Sequence, residues 1–235
     1  MSDGWTESAG AWLGEMGDHG DYARRFVLDR PMLARATASG AREALDIGCG
    51  EGRFCRALRA AGIAATGIDP TPALLDAARA RDPGGDYRPG RAEALDFPDA
   101  SFGLVVSYLT LIDIPDLAAA ASEMARVLAP GGELLIANLN PFMTAASPHP
   151  RIRDAEGREH LRVDRYLEAR AEWVAWRNMR IRNWHRPLQD YMAAFLGQGL
   201  VLRHFAEPAP WGGDPAMATR YRRAPWFHIM AWGKP

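Results

Sequence analysis

Two hydrophobic rhythms alternate along most of this chain. Short, mostly apolar runs fall at 43–47, 64–68, 103–108 and 132–138, and 86–89 reads as a further short strand. Between them, at 52–62, 72–82 and 116–129, apolar residues recur every three or four positions. The short runs have the length of buried strands, and the longer spacing marks one face of a helix. Strands alternating with helices predict parallel β-α-β units, and so an α/β fold. Pro72 near one helix start and Pro130-Gly131-Gly132 after another helix end are the punctuation such units need. Further on, the pattern predicts a helix at 187–197, a strand at 200–205, and a last strand at 226–232 that closes the sheet as its antiparallel member. The Pro/Gly-rich stretch Ala209 to Arg223 reads as a loop.

Two regions depart from this rhythm. In residues 1–40, Trp5, Ala9, Trp12 and Leu13 form one helical stripe, and Phe26, Leu28, Met32 and Leu33 form another that Pro31 starts or kinks. The acidic, glycine-rich stretch Gly14 to Asp21 lies between them as a turn. In residues 139–186, Pro141, Pro148 and Pro150 make a loop. There 160–166 alternates as a half-exposed strand, and 175–185 alternates in part, with Trp176, Asn178, Arg180, Arg182 and Trp184 on one side.

The chemistry concentrates after the first strand. Asp46-Ile47-Gly48-Cys49-Gly50-Glu51-Gly52-Arg53 is a strand end, a tight glycine loop and a helix start. Glycines there let the backbone turn at positive φ and let a ligand approach closely, at the carboxyl end of a strand. The spacing is G-x-G-x-G, and Arg53 stands where a dinucleotide fingerprint has its third glycine. Asp46 and Glu51 would repel a pyrophosphate and attract a ligand that carries an ammonium and a sulfonium. Asp69, about 20 residues on at the end of the second strand, suits both hydroxyls of a ribose, whether in NAD or in S-adenosylmethionine.

Further segments extend the pattern. Gly90-Arg91-Ala92-Glu93-Ala94-Leu95-Asp96-Phe97-Pro98-Asp99-Ala100-Ser101-Phe102-Gly103 and Glu123-Met124-Ala125-Arg126-Val127-Leu128-Ala129-Pro130-Gly131-Gly132-Glu133-Leu134-Leu135-Ile136 follow the glycine loop and Asp69 in order. Together they resemble the class I S-adenosylmethionine-dependent methyltransferases of the small-molecule, ubiquinone/menaquinone-biosynthesis-like group, over about residues 44–138. Arg91 and Gly103 depart from the acids common there. The resemblance implies a Rossmann-like, seven-stranded, mostly parallel sheet with helices on both faces. It implies an N-terminal helical lid (1–40), a donor-binding core (41–138 and 187–235) and a substrate cap inserted after the fifth strand (139–186). The implied cofactor is S-adenosylmethionine, leaving as S-adenosylhomocysteine. Its implied contacts are Asp46, Gly48, Cys49, Gly50, Arg53, Asp69 and Pro70, with Ala92, Glu93 and Ala94 along the adenine, Ser107 and Tyr108 after the fourth strand, and Arg25 for the donor's carboxylate. His185-Arg186-Pro187-Leu188-Gln189-Asp190-Tyr191 also resembles a helix opening of that family.

Methyl transfer from a sulfonium needs alignment first, and a base only where the acceptor arrives protonated. His185 is the first candidate base, or else a residue that positions the cap. Asp113 faces the acceptor side or caps a helix; His149, His160 and Tyr191 are weaker candidates. Trp173, Trp176, Trp184 and Phe142 could line a pocket for a flat or apolar acceptor, or simply pack the cap.

Composition removes some alternatives. With 235 residues and a net charge of −1, no global field draws the chain to nucleic acid or an anionic membrane. No apolar run reaches the ~20 residues of a membrane span. Two cysteines, Cys49 and Cys55, lack metal spacing and suit a reduced, cytoplasmic protein. Lys234 is the only lysine, which with the abundant Ala, Arg and Gly suggests a GC-rich bacterial genome. The expectation is a small-molecule acceptor, no nucleic acid, no membrane, no metal, and a monomer or homodimer. An NAD-dependent oxidoreductase and a non-catalytic S-adenosylmethionine-binding protein are the two alternatives.

Overall fold

The computed structural model describes residues 3–146 and 151–235. His149, Pro148 and Pro150 lie outside them. The chain runs α1 (Trp5–Met16), a π-helical turn (Arg24–Leu28) continuing into α2 (Asp29–Ala38), β1 (Glu43–Ile47), α3 (Arg53–Ala60), β2 (Ala64–Asp69), α4 (Pro72–Arg81), β3 (Asp86–Pro89), β4 (Phe102–Tyr108), α5 (Leu117–Val127) and β5 (Leu128–Leu139). Then follow α6 (Pro141–Ala145), β6 (Arg151–Arg153), β7 (Glu159–Leu161), β8 (Arg170–Trp176), β9 (Met179–His185), α7 (Leu188–Leu196), β10 (Val201–Ala206), α8 (Pro215–Arg222) and β11 (Phe227–Gly233).

Seven strands form one sheet in the order β10-β11-β5-β4-β1-β2-β3. β11 is antiparallel to both its neighbours, and the pairs from β5 across to β3 are parallel. The central strands are apolar on both faces because both are covered. Along β4, Leu104 and Val106 join a core with Leu28 of the π-helical turn, Met32 of α2, and Phe54 and Leu58 of α3. Val105 points the other way, into a core with Leu117 and Met124 of α5 and Phe195 of α7. The order reverses between β1 and β4, and a crevice opens at the carboxyl ends there.

The seven-stranded α/β sheet is the one expected, with β11 as its antiparallel member. Several local readings need correction. The stretch Ala209 to Arg223 is not all loop. It holds α8, which Asp214 caps by accepting from the Met217 N–H (2.9 Å), with Pro215 at the first helical position. The alternation at 160–166 is strand only to Leu161, since the backbone pairs β7 with β6 and no further. The alternation at 175–185 spans two strands, because Arg177 and Asn178 both take positive φ and fold β8 back on β9 as a hairpin. β5 begins directly at the end of α5 and carries Pro130-Gly131-Gly132 within it. α1 runs to Met16, into the stretch read as a turn. The β6/β7 and β8/β9 hairpins form two small sheets apart from the main one.

Candidate active site

Above the carboxyl ends of β1 and β4 lies a cavity of about 650 Å³. The glycine loop forms one wall. Gly48, Gly50 and Gly52 all take positive φ (72°, 55° and 74°). At Gly48 a Cβ would also sit 2.2 Å from the Thr110 side chain. At Gly50 the nearest neighbour would be Trp12 Nε1 at 3.9 Å, so its backbone opens toward the cavity. Asp69 braces this loop. Its Oδ2 accepts the Gly50 N–H (3.0 Å) and its Oδ1 the Thr71 N–H (2.8 Å). Burial raises the Asp69 pKa, against those two donors.

Asp46 is 1% exposed, and burial pushes its pKa up to about 7. Its Oδ2 accepts from the Cys55 thiol (3.3 Å), and its Oδ1 has no hydrogen-bond partner. Trp12 of α1 donates to Glu51 Oε2 (3.1 Å) across the mouth of the loop. Arg53 grips Asp29 with both terminal nitrogens (2.7 and 2.9 Å), and the Tyr108 hydroxyl donates to the same carboxylate (2.7 Å).

Asp46, Gly48, Cys49, Gly50, Arg53, Asp69, Pro70, Ala92, Glu93 and Tyr108 all line this cavity, as does Asp113. Other expected residues are placed elsewhere. Arg25 is exposed, its guanidinium over the Phe26 ring at 5.0 Å. Its neighbour Arg24 lines the cavity instead, paired with Asp21 (3.0 Å) and stacked on Trp12 (4.7 Å). Ser107 is fully buried behind the wall, and Ala94 is exposed beyond it. Tyr191 is packed in the core, and His160 is exposed beside Asp154 (2.8 Å). Among the aromatics, Trp176 lines the cavity; Trp173, Trp184 and Phe142 do not.

The wall opposite the glycine loop comes from Asp3 and Trp5, the loop after β4, α6, β8 and β9. His185 sits there, 2% exposed. Its Nε2 faces the Tyr166 carbonyl (2.8 Å), which can only accept, so Nε2 carries the proton. Nδ1 therefore accepts from the Thr144 hydroxyl (2.7 Å). Burial lowers the His185 pKa, so the ring is neutral with both nitrogens engaged. Asp113 Oδ1 accepts from Asn183 Nδ2 (2.5 Å). Thr144, Asn183, Asp3 and Asp29 were not foreseen. Their partners lie far along the chain, and no local motif marks them.

Residues 45–136 match the methyltransferase domain family. A solved S-adenosylmethionine-dependent methyltransferase from Mesorhizobium loti superposes with a TM-score of 0.74 at 27% identity, covering 89% of this chain and 97% of that one. The chain's central domain and its fold are thus similar to those of class I S-adenosylmethionine-dependent methyltransferases. Two malonyl-[acyl-carrier protein] O-methyltransferases are also similar. The one from Erwinia billingiae is 41% identical over 46% of this chain and 43% of its own length. The one from Serratia marcescens is 36% identical over 51% and 49%. The chain thus spans less than half the length of these curated relatives.

The residues lining the cavity fit S-adenosylmethionine, the donor of the similar proteins. An open glycine backbone lies beside a braced carboxylate, and a buried Asp46 oxygen without a partner suits a cationic ligand. Arg24 is at hand for a carboxylate. Among the described residues, no helix is long and apolar enough to cross a membrane.

Proposed function

We propose that this protein transfers a methyl group from S-adenosylmethionine to a small-molecule acceptor in the cytoplasm of a bacterium. The observation that carries the reading is the loop geometry: Gly50 opens to the cavity while its own N–H is held by Asp69. Asp69 would hold the ribose, Gly48 and Gly50 the methionine portion, and Ala92 with Glu93 the adenine edge. Asp46 would answer the donor's positive charge, and Arg24, rather than Arg25, its carboxylate. The donor brings an already activated methyl group. What remains for the chain is to align the acceptor, exclude water and manage a proton.

Residues 1–40 then act as a lid and 139–186 as a cap. α1 ties the two: the Ser8 hydroxyl donates to the Arg180 carbonyl (3.2 Å) and accepts the Arg180 N–H (3.0 Å). In this reading His185 positions the cap through Thr144 and Tyr166 and is not the base, because no lone pair on its ring is free. A near-neutral chain favours a small acceptor over nucleic acid.

Calorimetry with S-adenosylhomocysteine and NAD tests the reading. S-adenosylhomocysteine should bind and NAD should not. Asp69→Ala should weaken S-adenosylhomocysteine by about 1.5–3 kcal/mol through lost charge-assisted hydrogen bonds. Tight NAD binding would remove the methyltransferase reading, and unchanged affinity in Asp69→Ala would remove the ribose assignment. A metabolite extract supplied with labelled methyl donor then separates an enzyme, which labels a component, from a non-catalytic binder, which labels none.

A further inference from the structure

The loop between β4 and α5 is held in place by β9 and the residue just after it. Trp184 N–H donates to the Ile112 carbonyl (2.6 Å). Arg186, 6% exposed, donates to the carbonyls of Leu111 (3.1 Å), Ile114 (2.6 Å) and Pro115 (2.9 Å). Asn183 holds Asp113, the acid of that loop that lines the cavity, at 2.5 Å, and the Trp5 side chain faces it. A surface loop of this length does not need such fastening to close a chain. The fastening aims one carboxyl into the cavity and keeps it there.

The surroundings of that carboxyl select its charge partner. Trp5 faces it from α1 and Asn183 from β9, and Ile112 and Ile181 share the same cavity. Asp3, at the start of the described chain, and Asp69, at the end of β2, add negative charge. Arg186, just after β9, spends its guanidinium on three carbonyls of that loop. His185 is neutral with both nitrogens bound. Burial, reinforced by Asp3 and Asp69, raises the Asp113 pKa well above the usual carboxylate range and so favours its protonated form at rest.

We propose that Asp113 is the base for a cationic amine acceptor, so that the methylated atom is an amine nitrogen. The proposal rests on the methyltransferase reading above. Entry of an ammonium ion displaces the resting proton of Asp113 to solvent and leaves a carboxylate–ammonium pair. An N–H bond then breaks, and its proton passes to an Asp113 carboxyl oxygen. The freed lone pair forms the new N–C bond as the methyl C–S bond breaks, with that bond's electron pair staying on sulfur. A carboxylate acceptor would meet Asp3 and Asp69 with no cation facing it from this loop.

The test is calorimetry on the full chain near pH 7, with benzylamine, benzyl alcohol and benzoate as probes of equal shape and different charge. Each is titrated with and without saturating S-adenosylhomocysteine, in two buffers of different ionisation enthalpy. Benzylamine should bind at least about tenfold tighter than the other two and release about one proton. Asp113→Asn, which keeps the shape and loses the charge, should abolish the preference. Benzoate or benzyl alcohol binding as tightly, benzylamine binding without proton release, no benzylamine binding, or a preference that survives in Asp113→Asn would each overturn the proposal. Absence of S-adenosylhomocysteine binding would instead strike the donor reading, and the donor-free titrations would still report on Asp113.

Discussion

On the donor side of the cavity, Gly50 and the carboxylate that braces it are 19 residues apart, joined through one β-α-β unit. On the acceptor side, Asp113 meets Asn183 across 70 residues, Thr144 meets His185 across 41, and Ser8 meets Arg180 across 172. The donor wall is backbone geometry: positive φ, a turn, and an N–H braced by a carboxylate. The acceptor wall is side chains delivered by elements that the main sheet does not need. A single local change should therefore damage the first site through strain, and the second through loss of fastening with the fold intact.

The largest effect should come from Gly48→Ala. It forces a side chain into positive φ and against Thr110, for about 2–5 kcal/mol of lost stability and loss of donor binding. Adding Thr110→Ala should recover the steric part and leave the φ penalty. If the double variant gains nothing in chemical denaturation, the loop is not set by this contact.

Next comes Asp46. A carboxyl whose folded pKa is raised from 3.8 to about 7 carries no ionisation penalty below about pH 4 and the full penalty above about pH 7. Stability should fall as pH rises through that window, by up to about 4 kcal/mol. Asp46→Asn should match the parent near pH 4 and exceed it near pH 8, as read from melting curves. Parallel pH profiles for the two proteins would show that Asp46 is ionised throughout.

On the acceptor side, Arg186→Lys should cost about 2–3 kcal/mol, because three carbonyls share one guanidinium. S-adenosylhomocysteine affinity should stay within about twofold, while acceptor KM rises. An equal loss on both sides would mean that the two walls are not separable. The smallest effect belongs to His185→Gln. An amide can replace part of the Thr144 and Tyr166 pairing, so turnover should fall by less than about tenfold, where removal of a general base would cost about 10²–10⁴.

The same contrast explains what could be read in the sequence. The alternation of strands and helices and the glycine loop followed by Asp69 at a strand end come from short-range spacing, and the structure has them at those positions. Arg25 points away from the cavity that Arg24 lines, in a π-helical turn whose wider winding rotates side chains away from a 3.6-residue wheel. Ser107 and Tyr108 could not both face the ligand, since neighbours on a strand point to opposite sides. α8 was legible in Asp214-Pro215 and was hidden by the glycines before it. Asn183, Thr144 and the grip of Arg186 on the β4–α5 loop were not legible. Their meaning lies in contacts across the fold, and an alternating strand shows which face a residue takes without showing whom it meets.

One helix touches both walls. Trp12 of α1 bonds Glu51 on the donor loop, Trp5 bonds Asp113 on the acceptor loop, and the two indoles meet edge to face at 5.1 Å. Any ligand that shifts one indole acts on the other within the same rigid rod. The two binding equilibria are then thermodynamically linked: whatever factor the donor imposes on acceptor affinity, the acceptor must impose on the donor. A helix that reads as a cover is, in energetic terms, a coupling element, and Trp5→Ala should uncouple the two affinities while leaving the donor loop's own contacts in place.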